Sequence, residues 1–482
     1  MPPHNLSDFV KAYDVRGLVP EQLDVDVAWA LGAAFAEVII SRENGTGCVI
    51  AHDMRATSPE LSQAFGVGVA SRGIDVTHVG LASTDGLYFA SGHLDVAGAM
   101  FTASHNPAAY NGIKLCRPGA RPVGQDSGLA DVRDLAQELL DGTAELRHED
   151  EGKTDECELL ADYAAFLRGL VDLSRIRPLK VVVDAGNGMG GHTVPAVLEE
   201  KAGMPSLPLD VVPLYFELDG TFPNHEANPL EPANLVDLQA AVVEHGADLG
   251  LAFDGDADRC FVIDERGEAV SPSAITALIA TREVAREVAA GTAASDVSIV
   301  HNVITSAQVP EVIAALGAKA VRTRVGHSFI KGEMARANAV FGGEHSAHYY
   351  FRDFWFADTG MLAAMHVLAA LGEQSEPLSA VMADYTAYSA SGEINSTVDD
   401  QGAKTALVRE WADNKGVEVD ELDGLTLTHG GGDGDPMWWL NLRASNTEPL
   451  LRLNVEAADA DTMAAIRDDV LRLVRRTARG IS

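Results

Sequence analysis

The order of apolar and polar positions along the chain predicts strands and helices in alternation. Near the N-terminus, apolar side chains recur at helical spacing and mark one helix face: Leu23, Val27, Leu31, Ala34 and Val38. Apolar runs at residues 48–51 and 76–79 predict strands on either side of a helix that Ser58-Pro59-Glu60 opens. This alternation predicts an α/β domain whose sheet is largely parallel.

The same alternation recurs in the middle of the chain and then changes. Further apolar runs predict strands at residues 179–183, 249–253, 297–301, 320–324 and 339–341, with a helix at 329–337. From about residue 373 strand-like pieces dominate, with strands at 438–442 and 450–455 before a helix at 459–477. The C-terminal part is therefore predicted to be α+β.

Length sets the number of domains. The chain has 482 residues, more than one hydrophobic core can organise, which predicts three or four domains. We place them at residues 1–150, 151–258, 259–372 and 373–482. An acidic, helical stretch at residues 126–158 is interpreted as the linker between the first two.

The net charge narrows the range of partners. Lys and Arg number 36 against 71 Asp and Glu, which gives a formal charge of −35. Such a field repels nucleic acids and anionic membranes, so neither is expected as a partner. An anionic substrate would need a local cluster of basic side chains, or a metal ion, to be attracted.

Cysteine usage and hydropathy predict a soluble, cytoplasmic protein. Cys48, Cys116, Cys157 and Cys260 form no Cys-x-x-Cys pair and are interpreted as reduced thiols. The N-terminus lacks a basic segment followed by an apolar one, which argues against a signal peptide. No run approaches the roughly 18 apolar residues that a membrane span requires.

The first chemical motif is Thr102-Ala103-Ser104-His105-Asn106-Pro107, which follows an apolar run at residues 96–101. A serine hydroxyl at a strand end can carry a phosphoryl group if neighbouring groups neutralise its charge. His105 and Lys114 are close in sequence. The alternative is that Ser104 is only a helix cap or turn residue, which the sequence alone leaves open.

A glycine-rich turn after the strand at 179–183 suggests another class of enzyme. Gly186, Gly188 and Gly191 satisfy the G-x-G-x-x-G spacing of dinucleotide-binding folds, and Asp210 follows about 20 residues later. An NAD-dependent oxidoreductase is therefore an alternative. Against it, prolines interrupt the next predicted strand, and the glycines could simply allow helix and strand to pack closely.

Three carboxylates at alternate positions follow the strand at 249–253: Asp254, Asp256 and Asp258. A curled loop can bring them onto one hard divalent cation. An EF-hand is disfavoured because its sixth position holds Arg259 instead of glycine. A phosphatase loop that forms an aspartyl phosphate is a closer alternative.

Two later loops carry groups that bind sugars and phosphates. The first is Gly342-Gly343-Glu344-His345-Ser346-Ala347-His348, whose carboxylate and hydroxyl suit sugar hydroxyls. The second, Arg443-Ala444-Ser445-Asn446-Thr447-Glu448-Pro449, offers a guanidinium, two hydroxyls and an amide for a phosphate. An Asx-type turn between strands is the alternative for the second.

These four loops, in this order and over nearly the whole chain, resemble the α-D-phosphohexomutase family. The resemblance implies four domains around a central cleft, three mixed α/β sandwich domains and a smaller C-terminal α+β domain. It implies a phosphohexomutase that interconverts hexose 6-phosphate and hexose 1-phosphate through phosphorylated Ser104 and a hexose 1,6-bisphosphate. The Glu-x-Ser-x-His form of the sugar loop resembles the phosphomannomutase/phosphoglucomutase branch, and Asn446 points away from the alternative, a phosphoglucosamine mutase.

The resemblance also implies roles for individual residues. Ser104, Asp254, Asp256 and Asp258 would hold Mg²⁺. Lys114, His348, Arg16 and His105 would transfer protons, stabilise charge or support the phosphoserine, although the sequence around Arg16 taken alone favours a surface ion pair. The substrate-binding residues would be Arg259, His327, Glu344, Ser346, Arg443, Ser445, Asn446 and Thr447. The expected partners are hexose phosphates, and the expected assembly is a monomer or homodimer.

Two positions depart from the family pattern. Ala347 stands where many relatives have glycine, which could change the reach of the sugar loop. Asp85 follows Thr84 where proline is expected, and we predict that this affects a turn of the first domain and not the chemistry.

Overall fold

The computed structural model describes residues 5–146, 150–413, 415–432, 435–445 and 450–476. It divides into two compact units. One comprises residues 1–270 and 346–380, and the other comprises residues 271–345 and 381–482. Four sheets are formed among the described residues, each combined with helices.

The first sheet follows the order β1-β5-β4-β2-β3-β7, with β6 paired to β5. The pairs β4-β2, β2-β3 and β3-β7 are parallel. Its strands are β1 (Val15–Leu18), β2 (Gly47–His52), β3 (Asp75–Leu81), β4 (Ala97–Phe101), β5 (Tyr110–Arg117), β6 (Arg121–Pro122) and β7 (Thr154–Glu156). Its helices are α1 (Val25–Phe35), α2 (Ser58–Ala70), α3 (Thr84–Leu94) and α4 (Leu129–Leu140).

The stretch predicted as an acidic linker belongs to this first sheet and its core, so the linker interpretation was wrong. Leu129, Val132 and Ala136 of α4 lie in the same buried cluster as α1. β7 then adds a parallel strand beside β3. Composition alone does not separate a linker from an amphipathic helix. The charged residues of α4 occupy its solvent face, whereas an apolar stripe at helical spacing faces inward.

The second sheet, in the order β12-β11-β10-β8-β9, combines parallel β10-β8-β9 with an antiparallel β10-β11 hairpin. Its strands are β8 (Leu179–Asp184), β9 (Leu209–Leu214), β10 (Leu249–Phe253), β11 (Cys260–Asp264) and β12 (Ala269–Val270), with helices α5 (Leu160–Leu170), α6 (Gly190–Val197) and α7 (Val236–His245). The strand that prolines were expected to weaken is regular β9. It lies at the edge of the sheet, where a proline removes no essential ladder bond.

The next segment contributes a parallel group, β14-β13-β15, to the second unit. Its elements are α8 (Pro272–Ala289), β13 (Ser298–Asn302), α9 (Gln308–Ala315), β14 (Lys319–Thr323), α10 (His327–Ala337) and β15 (Phe341–Gly343). The following segment contributes an antiparallel pair and a helix to the first unit: β16 (Tyr349–Phe351), β17 (Ala357–Asp358) and α11 (Gly360–Gly372).

The last sheet is antiparallel, in the order β18-β23-β22-β21-β20, with β19 also paired to β23. After α12 (Leu378–Ala383) its elements are β18 (Ser389–Ala390), β19 (Ile394–Thr397), α13 (Gln401–Ala412), β20 (Glu418–Asp420), β21 (Leu425–His429), β22 (Trp438–Ala444), β23 (Leu450–Ala457) and α14 (Ala460–Val474). This confirms the predicted α+β character of the C-terminal part.

Two further expectations can be compared with the structure. Cys48, Cys116, Cys157 and Cys260 are all free thiols. Within the described ranges, none of the helices combines the length and apolar character that spanning a membrane would require.

Candidate active site

Ser104 lies at the carboxyl end of β4 and is 3% exposed. Its backbone adopts the left-handed conformation, with φ +50, and its N–H donates to Thr102 Oγ1 at 2.9 Å. Its hydroxyl donates to Asp254 Oδ2 at 2.9 Å and lies 3.2 Å from His105 Nδ1. The structure therefore brings the predicted phosphoserine to the predicted metal loop.

The metal loop is the turn between β10 and β11. Asp254, Asp256 and Asp258 are at most 1% exposed, and each offers a carboxylate oxygen within 4.8 Å of the others. Residue 255 has to be a glycine, because a Cβ on Gly255 would lie 2.4 Å from the Ser104 carbonyl oxygen. The absence of a side chain at this position lets the two loops approach each other closely.

The carboxylate oxygens of this loop fit a hard cation. Asp256 Oδ1 and Asp258 Oδ1 are buried and have no hydrogen-bond partner among the described residues. Buried carboxylate oxygens without donors are costly unless a cation meets them. Three carboxylates on one short loop, two of them with such an oxygen, are the donor set that a divalent ion such as Mg²⁺ or Ca²⁺ prefers.

Lys114 reaches the same loop from β5. Its Nζ donates to Asp256 Oδ2 at 2.7 Å and to Asp258 Oδ2 at 2.6 Å. Burial alone would lower the pKa of Lys114, but Asp256 and Asp258 raise it well above its usual value. Burial likewise opposes ionisation of Asp256, yet Lys114 holds the pKa of this carboxyl below its ordinary range. Lys114 is thus held as a charged ammonium in this arrangement.

Arg259 links the metal loop to the serine loop. Its Nε and Nη2 donate to Asp254 Oδ2 at 3.0 and 2.8 Å, and Nη2 also donates to His105 Nδ1 at 2.7 Å. Burial, with Arg259 beside it, lowers the pKa of His105 to about 2, so this imidazole is neutral. Burial raises the pKa of Asp254 to about 7 although Arg259 opposes the shift.

Arg16 also belongs to this site. Its Nε donates to Asp14 Oδ2 at 2.8 Å, and its Nη1 donates to Asn106 Oδ1 at 2.5 Å and to the Ala103 carbonyl at 3.4 Å. Burial opposes its charge, but Asp14 raises the pKa of Arg16 above its ordinary value. Arg16 thus forms the ion pair with Asp14 and also contacts the serine loop, and its role in the reaction stays a prediction.

His348 and Ser346 approach the metal loop within the same unit. Ser346 Oγ lies 3.0 Å from His348 Nδ1, and His348 Nε2 lies 3.8 Å from Asp258 Oδ1. The backbones of His348 and Arg259 form a bridge. Asp358, which the sequence analysis missed, offers a carboxylate oxygen within 4.8 Å of ligand atoms on His348 and Asp258.

Thr84, for which the sequence predicted no role, contacts the metal loop, and Asp85 is its neighbour in the chain. Thr84 Oγ1 donates to Asp256 Oδ2 at 2.6 Å, and its N–H donates to the Asp256 carbonyl at 3.0 Å. Asp85 Oδ2 accepts hydrogen bonds from Tyr163 at 2.7 Å and from Thr359 at 2.6 Å. Asp85 is therefore one residue from a direct contact with the metal loop. Its departure from the expected proline was the available signal.

The second unit contains most of the residues predicted to bind the sugar and the phosphate, and the structure describes some of them. Glu344 is 2% exposed, and its Oε1 accepts from Asn302 Nδ2 at 3.1 Å and from the Gly326 N–H at 3.2 Å.

Among the residues predicted to bind phosphate, Arg443 lies 3.4 Å from Asp423 and 3.5 Å from Glu393. Ser445 follows β22, and its N–H donates to the Leu450 carbonyl. His327 begins α10. Asn446 and Thr447 lie outside the described residues.

The glycines of the dinucleotide-like motif have a packing explanation. A Cβ on Gly188 would lie 2.7 Å from the Gly255 carbonyl oxygen, and a Cβ on Gly191 would lie 2.1 Å from the Phe216 carbonyl oxygen. These glycines let α6 approach the metal loop and the segment after β9. The structure therefore accounts for the motif without a nucleotide.

Four family models match the chain in sequence order. They are described as phosphoglucomutase/phosphomannomutase alpha/beta/alpha domains I, II and III and the C-terminal domain. They match residues 8–138, 161–267, 271–388 and 393–473. The predicted four-domain α/β architecture is confirmed, while the predicted domain boundaries stay predictions.

Similar proteins cover almost the whole chain. A phosphomannomutase of Salmonella montevideo is 37% identical, with 98% of this chain and 99% of that protein aligned. A Xanthomonas campestris protein named phosphohexose mutases is 38% identical, with 96% and 98% aligned.

Solved structures of related proteins show the same fold. A phosphoglucomutase/phosphomannomutase family protein of Burkholderia thailandensis has a TM-score of 0.82 at 29% identity, covering 99% of both chains. A phosphomannomutase-like protein of Thermus thermophilus has a TM-score of 0.79 at 23% identity, covering 98% of this chain and 99% of its own, and supports the fold alone. The predicted membership and hexose-phosphate mutase activity are confirmed. The chain belongs to the phosphoglucomutase/phosphomannomutase family of α-D-phosphohexomutases.

Proposed function

We propose that the chain interconverts hexose 6-phosphates and hexose 1-phosphates, with Ser104 as the residue that carries the phosphoryl group. The observation that carries this assignment is the contact between the buried Ser104 hydroxyl and Asp254 of a buried three-carboxylate loop. The hydroxyl is thus placed where a cation and several basic side chains can stabilise the charge of phosphoryl transfer.

Asp254, Asp256, Asp258 and phosphorylated Ser104 would hold Mg²⁺, which supplies charge neutralisation for the transferring phosphoryl group when it is bound. Lys114 remains on the Oδ2 atoms of Asp256 and Asp258, so their Oδ1 atoms are left for the cation. Arg259 orients Asp254 and keeps a hydrogen bond on His105. Arg16 supports the loop through Asn106.

The reaction is two phosphoryl transfers. Phosphoserine gives its phosphoryl group to a hydroxyl of the hexose monophosphate, which forms a hexose 1,6-bisphosphate and the free Ser104 hydroxyl. The bisphosphate then reverses its orientation and transfers its other phosphoryl group to Ser104. The accepting hydroxyl loses a proton in each step, and His348 is the candidate group to take it. Lys114, which is held as an ammonium, would instead stabilise negative charge.

The substrate is proposed to be a mannose phosphate and also a glucose phosphate. Glu344 and Ser346 would bind sugar hydroxyls at O3 and O4, whose positions do not depend on the C2 epimer. Arg443, Ser445, Asn446 and Thr447 would hold the phosphate that is not being transferred. His327 would contact the substrate from the start of α10. The alternative substrate is glucosamine phosphate.

Measurement of intact mass tests the proposal. The phosphorylated enzyme should carry one phosphate-sized mass excess, which Ser104→Ala cannot carry and which excess hexose phosphate removes from wild type. Ser206→Ala, at an exposed serine, is the matched control and should behave as wild type. A mass excess that survives in Ser104→Ala would contradict the assignment.

The same proposal has consequences for assembly and location. A monomer or homodimer would suffice, because the residues invoked are supplied by one chain. A cytoplasmic location agrees with four free thiols.

A further inference from the structure

Arg55 is a buried cation that the mechanism above does not use. It follows β2 by three residues and is 2% exposed. Its guanidinium faces the backbone of the Ser104 loop and donates to four carbonyl oxygens, those of Ser104 at 2.8 Å, Asn106 at 2.7 Å, Pro107 at 3.0 Å and Tyr110 at 3.0 Å. Four points along the loop backbone are thus tied to one side chain.

Arg55 is itself held in place on all sides. Its Nε donates to Asp53 Oδ2 at 3.2 Å, and its own N–H donates to Asp53 Oδ1 at 3.0 Å. Asp53 Oδ1 also accepts from Ser58 Oγ at 2.6 Å. The ring of Phe222 lies 5.2 Å from the guanidinium carbon. With these contacts all five N–H donors of the guanidinium are used, which the burial of the group requires.

The loop that Arg55 binds is strained at the reactive residue. Ser104 has φ +50, a conformation that residues with a Cβ rarely adopt because the Cβ crowds the following carbonyl oxygen. The carbonyl of Ser104 faces Arg55 on one side, while the hydroxyl faces Asp254 on the other. The hydrogen bond to that carbonyl is therefore in a position to offset the strain and to fix the direction of the hydroxyl.

We propose that Arg55 is a positioning residue that sets the geometry of phosphoryl transfer by holding the backbone of the phosphoserine loop. The inference rests on the proposed role of Ser104. Arg55 acts through the backbone and does not touch the reacting atoms. Lysine cannot replace it, because one ammonium group at a single point cannot span four carbonyls and Asp53.

The test compares Arg55→Lys with Arg177→Lys. Arg177 makes a similar clamp in the same unit, donating to the carbonyls of Gln374 and Pro178 at 3.2 Å and to Asp248 Oδ1 at 2.8 Å, on elements other than the Ser104 loop. For both variants, kcat and KM for mannose 1-phosphate, the thermal midpoint, and the ³¹P resonance of the phosphoserine would be measured.

We expect Arg55→Lys to lower kcat by about 100-fold, the loss that a misplacement of about 1 Å can produce, with KM within about threefold of wild type. Its phosphoserine ³¹P resonance should shift or broaden. Arg177→Lys, at a side chain that is 33% exposed, should keep both kcat and the resonance of wild type. Activity assays well below the thermal midpoint of each variant separate positioning from a general loss of stability.

Asp53→Asn provides a second variant in case Arg55→Lys does not fold. It keeps the volume of the side chain but removes the charge that orients Arg55, and we expect kcat to fall by about tenfold at unchanged KM. Wild-type kcat and an unchanged ³¹P resonance in a folded Arg55→Lys or Asp53→Asn protein would overturn the inference. Equal kcat losses in Arg55→Lys and Arg177→Lys would overturn it as well. A wild-type enzyme without any phosphoserine would instead refute the proposed function.

Discussion

The buried carboxyl of Asp85 predicts a pH-dependent stability that one substitution should remove. Asp85 is 1% exposed and accepts hydrogen bonds from Ser83, Tyr163 and Thr359. Burial raises the pKa of Asp85 to about 6 from an ordinary 3.8, and the three hydroxyl donors only partly oppose this. Replacing it by asparagine keeps the shape of the side chain and removes the charge.

The direction and size of the effect follow from proton linkage. The carboxyl of Asp85 binds its proton more tightly in the folded state than in the unfolded state. Its contribution to the free energy of unfolding is therefore fully present below pH 3.8 and is lost as the pH rises through 6. The difference between a pKa of about 6 and the ordinary 3.8 corresponds to about 3 kcal/mol of stability in total. About half of this stability is lost between pH 5 and pH 8. The wild-type protein should lose this amount relative to Asp85→Asn.

Urea unfolding followed by tryptophan fluorescence at pH 5, 6, 7 and 8 measures the difference between the two proteins. The free energy of unfolding of Asp85→Asn minus that of wild type should rise by about 1.5 kcal/mol from pH 5 to pH 8. Asp95→Asn, at an exposed position at the end of the same helix, is the matched control and should show no such rise. A difference that is constant across this range would refute the reasoning.

Three further substitutions test the site. Ser104→Ala should abolish turnover and leave the thermal midpoint close to that of wild type, and full mutase activity in this variant would exclude Ser104 as the phosphoryl carrier. Asp256→Asn should slow turnover by several orders of magnitude and raise the Mg²⁺ concentration needed for half-maximal activity, since one of three carboxylates is lost. An unchanged Mg²⁺ titration would show that the cation binds elsewhere. Glu344→Ala should lower kcat/KM for mannose 1-phosphate and glucose 1-phosphate to a similar degree, and wild type should accept both within roughly ten- to two-hundred-fold. Loss of only one activity would show that the C2 hydroxyl is recognised.

The sequence predicted most of the regular elements because their apolar residues follow simple periods. The runs at 249–253 and 179–183 became β10 and β8, and the helical spacing from Leu23 became α1. Motifs that place several chemical groups within a few residues, such as Asp254 to Asp258, were also recognised. The spacing of neighbouring residues can be read from a single sequence, and these strands, helices and compact motifs depend mainly on that spacing.

The contacts that could not be predicted from the sequence join residues far apart in the chain. Thr84 and Asp256 are 172 positions apart, and Asp85 and Thr359 are 274 apart. Arg55 reaches carbonyl oxygens some 50 residues later, and backbone carbonyls leave no trace in the identity of the residues that present them. Single buried polar residues of this kind become recognisable only when the sheet order brings adjacent strands β2 and β4 together.

The charge of the site explains how so acidic a chain can bind an anionic substrate. Five carboxylates, those of Asp14, Asp254, Asp256, Asp258 and Asp358, lie with three permanent cations, Arg16, Lys114 and Arg259, and the neighbouring ion pair of Arg55 and Asp53 adds no net charge. The excess of two negative charges is what one divalent cation would neutralise, and a monovalent ion would leave the cluster negative. Burial, together with the neighbouring aspartates, raises the pKa values of Asp254 and Asp258 above the ordinary value, so these two carboxyls favour protonation when no cation is bound. We therefore expect binding of hexose phosphate to depend on a divalent ion even in Ser104→Ala, where no phosphoryl transfer takes place. Calorimetric titration of that variant with mannose 1-phosphate, with and without Mg²⁺, measures this directly, and equal affinities would show that the basic residues alone attract the substrate.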